Sequence, residues 1–403
     1  MLSTVEKAQG WLRRHRVDAW LLYDYLGANP VFWAVVGKLG MVTRPCWLFV
    51  PARGQPRLLV HAVDAGKFRS LGLPLTVFAN RAQMLRHLRR WLTGLQRVAM
   101  EYSPQGALPR VGRVDAGTVE LVRGWGLQVL PSGDLFQESA LLWTPAQEQS
   151  HREAACLLSA IVLEAFAFLG QDLSGALTEW DTAQFIRTRF ADLGLESPEG
   201  PIVAVNAHSS DPHYEPTPSA AAPVRRGDWV LIDLWGRLKG EDTIYADITW
   251  VGYAGPEAPP RQQEVFRVVC QARDAALSAL QKAWEKGRVL QGWQVDRVAR
   301  RLIAQAGYGK YFTHRLGHSL GRTVHGDAVN LDSWETRDTR CIIPGIGFTI
   351  EPGIYLPEFG VRSEIDVFFS PSGPQVTTAV QQSIVLIGER LDLPKGPSYN
   401  RPS

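Results

Sequence analysis

Two aspartates lie in apolar segments that are typical of neighbouring strands. Asp233 is in "WVLIDLW", Asp247 is in "YADIT", and Gly240 is the midpoint between them. A hairpin centred on Gly240 would place the two carboxylates opposite each other, with Cβ atoms about 5 Å apart. Two buried carboxylates on one face repel unless one is protonated or a cation lies between them. For Asp233 alone, a buried salt bridge or a strand-end cap is an equally good interpretation.

Two glutamates repeat this arrangement later in the chain. Glu351 and Glu364 flank a second predicted turn, "LPEFG", and lie 118 and 117 positions after Asp233 and Asp247. If the two related halves fold together, four carboxylates form one cluster with a charge of −4. Two divalent cations would neutralise that charge, and bridging carboxylates can hold two ions about 3.5–4 Å apart. Oxygen-rich ligation favours Mn²⁺, and one added imidazole also admits Zn²⁺ or Co²⁺.

The imidazole could come from "THRLGHSLGRTVHGD", which contains His314, His318 and His325 within twelve residues. The pair His314 and His318 lacks the adjacent Glu of a zinc-protease helix. Gly317 and Gly321 favour an irregular or extended segment instead. One of the three histidines is therefore expected to complete a metal site, but spacing alone does not select it.

These segments resemble the pita-bread metallopeptidases, in the branch of Xaa-Pro dipeptidases (prolidases) and Xaa-Pro aminopeptidases. The motifs "VLIDLWG…YADIT", "HRLGHSLGRTVHGD", "GFTIEPGIY" and "GVRSEIDV" occur in the family's order. The resemblance covers about residues 145–390, with a looser match of the N-terminal part to that branch's accessory domain. It implies that five residues hold a dinuclear metal site: Asp233, Asp247, His318, Glu351 and Glu364.

The resemblance also implies roles for residues around the metals. Glu351 would move the proton of the attacking water and His325 would donate to the oxyanion, which makes these two the predicted catalytic residues. His213 and His314 would bind substrate together with His325. Arg362 is counted with the substrate-binding residues and would also orient a ligand carboxylate, although a plain structural ion pair is an equally good alternative.

The implied activity is that of an Xaa-Pro dipeptidase with two Mn²⁺ or Zn²⁺ ions, Co²⁺ being possible, acting on small peptides with proline at P1′. Arg315, Arg322 or Arg362 could bind the carboxylate of a dipeptide, which favours the dipeptidase. The alternatives are an Xaa-Pro aminopeptidase acting on longer peptides, a non-catalytic pita-bread binding module, and a metal-free hydrolase of the creatinase kind. A homodimer is expected from the resemblance alone.

The chain departs from the family pattern at several positions. Asp233 and Asp247 are fourteen positions apart, three more than is usual in the family, so "GED" is expected to form an extra bulge. Trp250 stands where an Arg is usual, and Ser319 stands where a Gly is usual. We expect these departures to alter the substrate pocket rather than the metal ligands. His208 matches no motif and is predicted to lie on the surface.

The elements that must position these residues form two predicted domains. Residues 1–140 alternate short apolar runs with helical segments and are expected to be an α/β accessory domain. Residues 145–395 are expected to be an α+β pita-bread catalytic domain of the creatinase/aminopeptidase type with two related halves, each with two helices and a strand pair. Its first helices are predicted to begin after Thr144 and Thr178. The final thirteen residues are typical of a poorly ordered tail.

Composition limits the other possibilities. The net charge of +3 over 403 residues is too small and too evenly spread to predict a nucleic-acid partner. No apolar run reaches the roughly 20 residues of a membrane span, and the N-terminus lacks an apolar signal-peptide core. Four scattered cysteines favour buried, reduced thiols over disulfides. A cytoplasmic protein with no membrane partner is therefore expected.

Overall fold

A computed structural model describes residues 1–389. It divides into two compact units, Met1–Leu142 and the residues from Trp143 onwards. The accessory and catalytic roles of the two predicted domains stay predictions. The proposed domain end at 395 and the predicted tail at 391–403 lie outside the described residues. Within residues 1–389, no helix is both long enough and apolar enough to cross a membrane.

The first unit is a six-stranded mixed sheet in the order β4-β3-β2-β1-β5-β6 with helices on both faces. Trp20 and Leu22 of the central strand pack into one apolar cluster with α1, α2 and α6, and Ala19 and Leu21 pack into the other with α4 and α5. The elements are α1 (Leu2–Arg14), β1 (Ala19–Asp24), α2 (Pro30–Val36), β2 (Cys46–Pro51), β3 (Arg57–His61), α3 (Ala65–Phe68), β4 (Leu75–Phe78), α4 (Arg81–Leu92), β5 (Arg97–Met100), α5 (Ala116–Gly124), β6 (Gln128–Pro131) and α6 (Gly133–Ala140).

The second unit contains two helix pairs and two main sheets. One sheet has the order β19-β12-β11-β8 with β9 also paired to β11, and the other has the order β13-β14-β17-β18. The elements are α7 (Pro145–Leu169), β7 (Ser174–Thr178), α8 (Glu179–Asp192), β8 (Leu195–Glu196), β9 (Ile202–Val205), β10 (Pro223–Arg225), β11 (Trp229–Leu238), β12 (Ala246–Tyr253), α9 (Pro260–Glu285), α10 (Gly292–Gln305), β13 (Ser319–Leu320), β14 (Ile346–Ile350), β15 (Gly353–Leu356), β16 (Phe359–Arg362), β17 (Ile365–Ser370), β18 (Gly373–Val376) and β19 (Val385–Leu386).

The predicted repeat of helix, helix and strand pair is confirmed in this unit. Helices α7 and α8 pack on β11 and β12 around a buried apolar cluster, and α9 packs against β14, β15 and β16. Both helix starts agree with their capping signals, since the side chains of Thr144 and Thr178 accept from the third residue of α7 and α8. Two helix pairs therefore support two strand pairs, which bring the acidic residues together.

The predicted register of the first hairpin is wrong by two residues. Asp233 pairs with Thr249, and Asp247 pairs with Trp235. At the turn, the Tyr245 backbone N–H donates to the Gly321 carbonyl at 3.0 Å and not to the neighbouring strand. A shift of two keeps the alternation of side chains, so both carboxylates still lie on one face.

The second strand pair has the predicted centre but is interrupted. Ile350 pairs with Ile365 and Gly353 pairs with Arg362. The continuous register places Glu351 and Glu364 across from each other, in the break between the two ladders. Side chains at such a break are not tied to a ladder partner and can turn toward a common centre.

The cysteine prediction is only partly correct. None of the four cysteines, all of which lie in the described residues, is in a disulfide. However, Cys46 is the buried one, whereas Cys156 is exposed on α7 and the other two are half-buried. Burial therefore does not explain the unpaired state of all four thiols.

Candidate metal centre

A cavity of about 450 Å³ in the second unit collects all the predicted site residues. Strands β11 and β12 contribute two acids, the breaks after β14 and β16 contribute two more, and the histidine segment closes one side. The predicted residues that line it are Asp233, Asp247, His318, Glu351, Glu364, His213, His314, His325 and Arg362. Segments far apart in sequence thus converge on one concave surface.

Three buried side chains at its base have the geometry of a metal site. One ligand atom from each of Asp247, His318 and Glu364 lies within 4.8 Å of the others. The Nε2 atom of His318 is 3.5 Å from Asp247 Oδ2 and 3.5 Å from Glu351 Oε1. Its Nδ1 atom faces the carbonyl of Ser319 at 3.2 Å, which leaves Nε2 directed at the carboxylates.

Two carboxylate oxygens in this cluster lack partners. Asp247 Oδ1 and Glu364 Oε1 are buried and accept no hydrogen bond from any described residue. Burial, followed by repulsion from Asp233 and Glu351, raises the pKa of Asp247 well above its ordinary value. Burial, followed by repulsion from Asp247 and Glu351, does the same to the pKa of Glu364. Unpaired buried oxygens are costly unless a cation contacts them. The residues present therefore fit divalent cations.

Arg362 is buried against the fourth carboxylate. Its guanidinium forms an ion pair with Asp233, and it also donates to Thr249 Oγ1 at 2.8 Å and to Tyr355 Oη at 3.0 Å. Burial opposes its charge, but Tyr355 and the surrounding carboxylates raise the pKa of Arg362 well above its usual value. Thr249 in turn donates to Glu364 at 2.7 Å. Arg362 thus holds two of the acids in place.

The histidines at the rim differ in their surroundings. Nδ1 of His314 donates to the Arg315 carbonyl at 2.6 Å, so its Nε2, 2.8 Å from Tyr355 Oη, accepts from that hydroxyl. Burial, followed by repulsion from Arg362, lowers the pKa of His314 to about 3, which keeps it neutral. The ring of His325 lies 4.4 Å from that of His318, edge-on. His213 is exposed on its loop.

With this geometry established, comparison with known proteins identifies the family. A model for metallopeptidase family M24 matches residues 149–371, more than half of the chain. The chain belongs to metallopeptidase family M24. Among curated relatives, it is 35% identical over 187 residues to the putative dipeptidase YkvY of Bacillus subtilis, covering 46% of this chain and 47% of that one. It is also 35% identical over 165 residues to an Xaa-Pro dipeptidase of Lactobacillus helveticus, covering 40% of each. The matches thus span less than half the length of these relatives.

Solved structures of other proteins share the fold over nearly the whole chain. Dipeptidase PepE from Mycobacterium ulcerans has a TM-score of 0.70 at 20% identity, covering 95% of this chain and 97% of that one. The prolidase from Pyrococcus horikoshii OT3 has a TM-score of 0.61 at 21% identity, covering 95% and 99%. The predicted family branch and the predicted fold, an α/β unit followed by a pita-bread unit, are confirmed.

Several positions in this M24 member differ from expectation. Trp250 is buried in the apolar cluster with α7 and α8 and does not line the cavity. Ser319 is buried beside His318, and its backbone N–H donates to Asn330 Oδ1 at 3.0 Å. Asp242, in the three-residue insertion, pairs with Arg322 outside the cavity. None of these three residues lines the cavity, so the expectation that they alter the substrate pocket by direct contact is not supported.

His208 is partly exposed, with 39% of its side chain accessible, but it also has partners that the sequence does not predict. Its Nδ1 lies 2.9 Å from Glu179 Oε1, and its ring stacks on Tyr214 at 4.5 Å. Glu179 is fully buried and also accepts from Tyr214 Oη at 2.6 Å. The sequence signal was weak, because Glu179 reads only as the first residue of a capped helix. This cluster ties down the loop that carries His213.

Proposed function

We propose that the chain hydrolyses the Xaa-Pro bond of dipeptides with two divalent metal ions, Mn²⁺ or Zn²⁺, with Co²⁺ as a substitute. The observation that carries this proposal is the convergence of four carboxylates and one imidazole with unpaired buried oxygens. Membership of family M24 supports the reaction class. The names of the relatives from Bacillus subtilis and Lactobacillus helveticus support the dipeptidase assignment.

Five side chains would hold the ions: Asp233, Asp247, His318, Glu351 and Glu364. When bound, divalent ions lower the pKa of water and polarise a carbonyl oxygen. The protein's contribution is to fix the acids in a buried cluster and to keep Arg362 against Asp233, which sets the direction of that carboxylate.

Proton transfer is assigned to Glu351. Its Oε1 accepts from Thr349 Oγ1 at 3.1 Å, which orients the carboxylate. Glu351 would take the proton of the attacking water and return it to the proline nitrogen, which as an imide-type nitrogen has no hydrogen of its own. His325 would donate to the oxyanion that develops at the scissile carbonyl.

Three histidines, His213, His314 and His325, would bind the peptide around the scissile bond. His314 is neutral and held by Tyr355, so it is a fixed wall of the cavity and offers little charge. His213 reaches the cavity from a loop.

We also propose a homodimer, which rests on the family resemblance and is tested by light scattering.

Arg315 is the best candidate to bind the carboxylate of a dipeptide. Arg322 does not line the cavity, and the guanidinium of Arg362 is already paired with Asp233. Arg315 lines the cavity beside Glu335, and its Nη1 donates to Glu335 Oε2 at 3.3 Å. A free substrate carboxylate would compete with Glu335 for this guanidinium.

The test compares kcat/KM for a dipeptide Xaa-Pro, the amidated dipeptide and the tripeptide Xaa-Pro-Xaa. Loss of one charged hydrogen bond, worth roughly 1.5–3 kcal/mol, should cost the amide about tenfold or more. An Arg315→Gln variant should remove this preference, whereas Arg322→Gln should keep it. Equal or faster turnover of the longer peptide would favour the alternative, an Xaa-Pro aminopeptidase.

A further inference from the structure

A second cavity, of about 430 Å³, lies beside helix α10 in the second unit. We name it the arginine cavity, after Arg297, Arg301 and Arg337, which line it with Trp293. It shares no lining residue with the metal cavity. A separate concave surface of one charge sign is therefore present.

The walls of the arginine cavity are fixed by hydrogen bonds. Trp293, Arg297 and Arg301 follow at intervals of four along α10, so they form one stripe of the helix. The opposite wall is the loop that carries Arg337, and the Trp293 backbone N–H donates to the Asp338 carbonyl of that loop at 3.0 Å. The guanidiniums of Arg297 and Arg337 lie 5.5 Å and 4.6 Å from the Trp293 ring centroid.

The charges in this cavity are not balanced. Arg300 also lines the cavity, but its guanidinium already has partners. It forms an ion pair with Asp296 at 2.8 Å and donates to the His314 carbonyl at 2.7 Å. Arg297, Arg301 and Arg337 form no ion pair with any carboxylate of residues 1–389. Three exposed arginines without an ion-pair partner among residues 1–389 thus line one concavity, and their shared positive charge favours an anion there.

We infer that the arginine cavity binds a small molecule that carries a diphosphate or longer phosphate chain. The planar guanidinium fork matches phosphate oxygens in a bidentate way, and several forks around one cavity match several phosphate oxygens. The Trp293 ring already contacts two guanidiniums, so it is not free to stack on an aromatic ring of a ligand. The groups left to bind a ligand are the arginines, which recognise oxyanions. The volume exceeds that of a single phosphate.

The test is isothermal titration of inorganic pyrophosphate into the metal-loaded full chain at constant ionic strength. The triple variant Arg297→Gln, Arg301→Gln, Arg337→Gln should bind at least ~10-fold more weakly, the loss expected for even one charge-assisted hydrogen bond. The matched control changes three exposed arginines of helix α4, Arg86→Gln, Arg89→Gln and Arg90→Gln. It has the same net charge and should bind like the parent.

Three results would overturn the inference. The first is an absence of pyrophosphate binding by the parent. The second is equal weakening in both triple variants, or unchanged binding in the Arg297, Arg301 and Arg337 variant, which would place the anion elsewhere, including at the metals. The third is equally tight binding of a tetraglutamate peptide, which would replace phosphate with carboxylates. Unchanged peptidase activity and melting temperature of both variants would establish that they fold.

Discussion

At the scale of single residues, Glu351 has the most demanding proposed role, because it would both hold a metal ion and move a proton. Glu351→Gln keeps the size of the side chain and an oxygen for Thr349, but an amide cannot take up the proton. We expect kcat to fall by at least ~10²-fold while the fold is kept. The control is Glu358→Gln, which removes the same charge from the exposed turn of that strand pair. Metal content must be measured alongside, and a metal-loaded Gln variant that turns over at the parental rate would refute the role.

The sequence predicts which acids converge, and the family resemblance adds Arg362, but neither predicts the residues that connect Arg362 to the acids. Asp233, Asp247, Glu351 and Glu364 are detectable because carboxylates in apolar strands are costly and because their spacing repeats. Thr249 and Tyr355, which connect Arg362 to the cluster, look like ordinary strand residues in the sequence. Their contacts arise only when β12, β15 and β16 pack together, so no local pattern encodes them.

At the scale of elements, local signals were reliable where chemistry at one position decides the structure. Thr144 and Thr178 cap their helices as predicted. Helix α2 does not follow from its composition, although Asn29 accepts from two N–H groups at its start. Its seven residues, "PVFWAVV", are mostly β-branched or aromatic, and these types have low helix propensity. Packing of α2 against the sheet overrides that preference.

The loop that carries His213 should depend on one buried carboxylate. Glu179 accepts from the backbone N–H groups of Val205 at 2.6 Å and Ala222 at 2.7 Å, one on each side of the loop. Glu179→Gln puts an NH₂ group where an acceptor is needed, so we expect a loss of about 2 kcal/mol of unfolding free energy. Amide hydrogen exchange over residues 206–222 should accelerate. Glu215→Gln, on the exposed part of the same loop, should not change the exchange, and equal rates in both variants would contradict the prediction.

The sheet of the first unit should be sensitive to pH through Glu101. This carboxyl is buried and accepts from Trp20 Nε1 at 2.7 Å and Ser132 Oγ at 3.0 Å. Burial raises its pKa from 4.5 to about 7. The folded state therefore keeps the proton that the unfolded chain loses, and unfolding free energy falls by ~3 kcal/mol as pH rises through this range.

Hydrogen exchange of the β5 amides, measured from pH 4.5 to 7.5 after correction for intrinsic rates, reports this change. Glu101→Gln should remove the pH slope, because a glutamine does not titrate in this range. The exposed Glu120→Gln on α5 should keep the slope. A slope that survives in Glu101→Gln would assign the pH sensitivity to another group.

At the scale of the whole molecule, the second unit packs together two strand pairs that are far apart in sequence. Each pair carries two acidic residues of the metal centre. Repulsion among four buried carboxylates opposes this packing, and Arg362 offsets only part of it. The apolar cluster under α7 and α8 and the contacts of α9 must hold the halves together when no cation is bound. Binding of cations should therefore stabilise the native arrangement of both halves and not only a local loop.

Metal loading should thus change activity, composition and stability together. We expect about two divalent ions per chain by elemental analysis, and activity that a chelator abolishes and Mn²⁺, Zn²⁺ or Co²⁺ restores. Each ion at a free concentration about 100 times its Kd adds about 2.7 kcal/mol to the folded state, so the melting temperature should rise on loading. Asp247→Asn should lose bound metal and most of this rise. Glu335→Gln, which lines the cavity outside the acidic cluster, should keep both. Full activity in protein that elemental analysis finds free of metal would defeat the proposed chemistry, whereas one ion per chain with full activity would leave a mononuclear site.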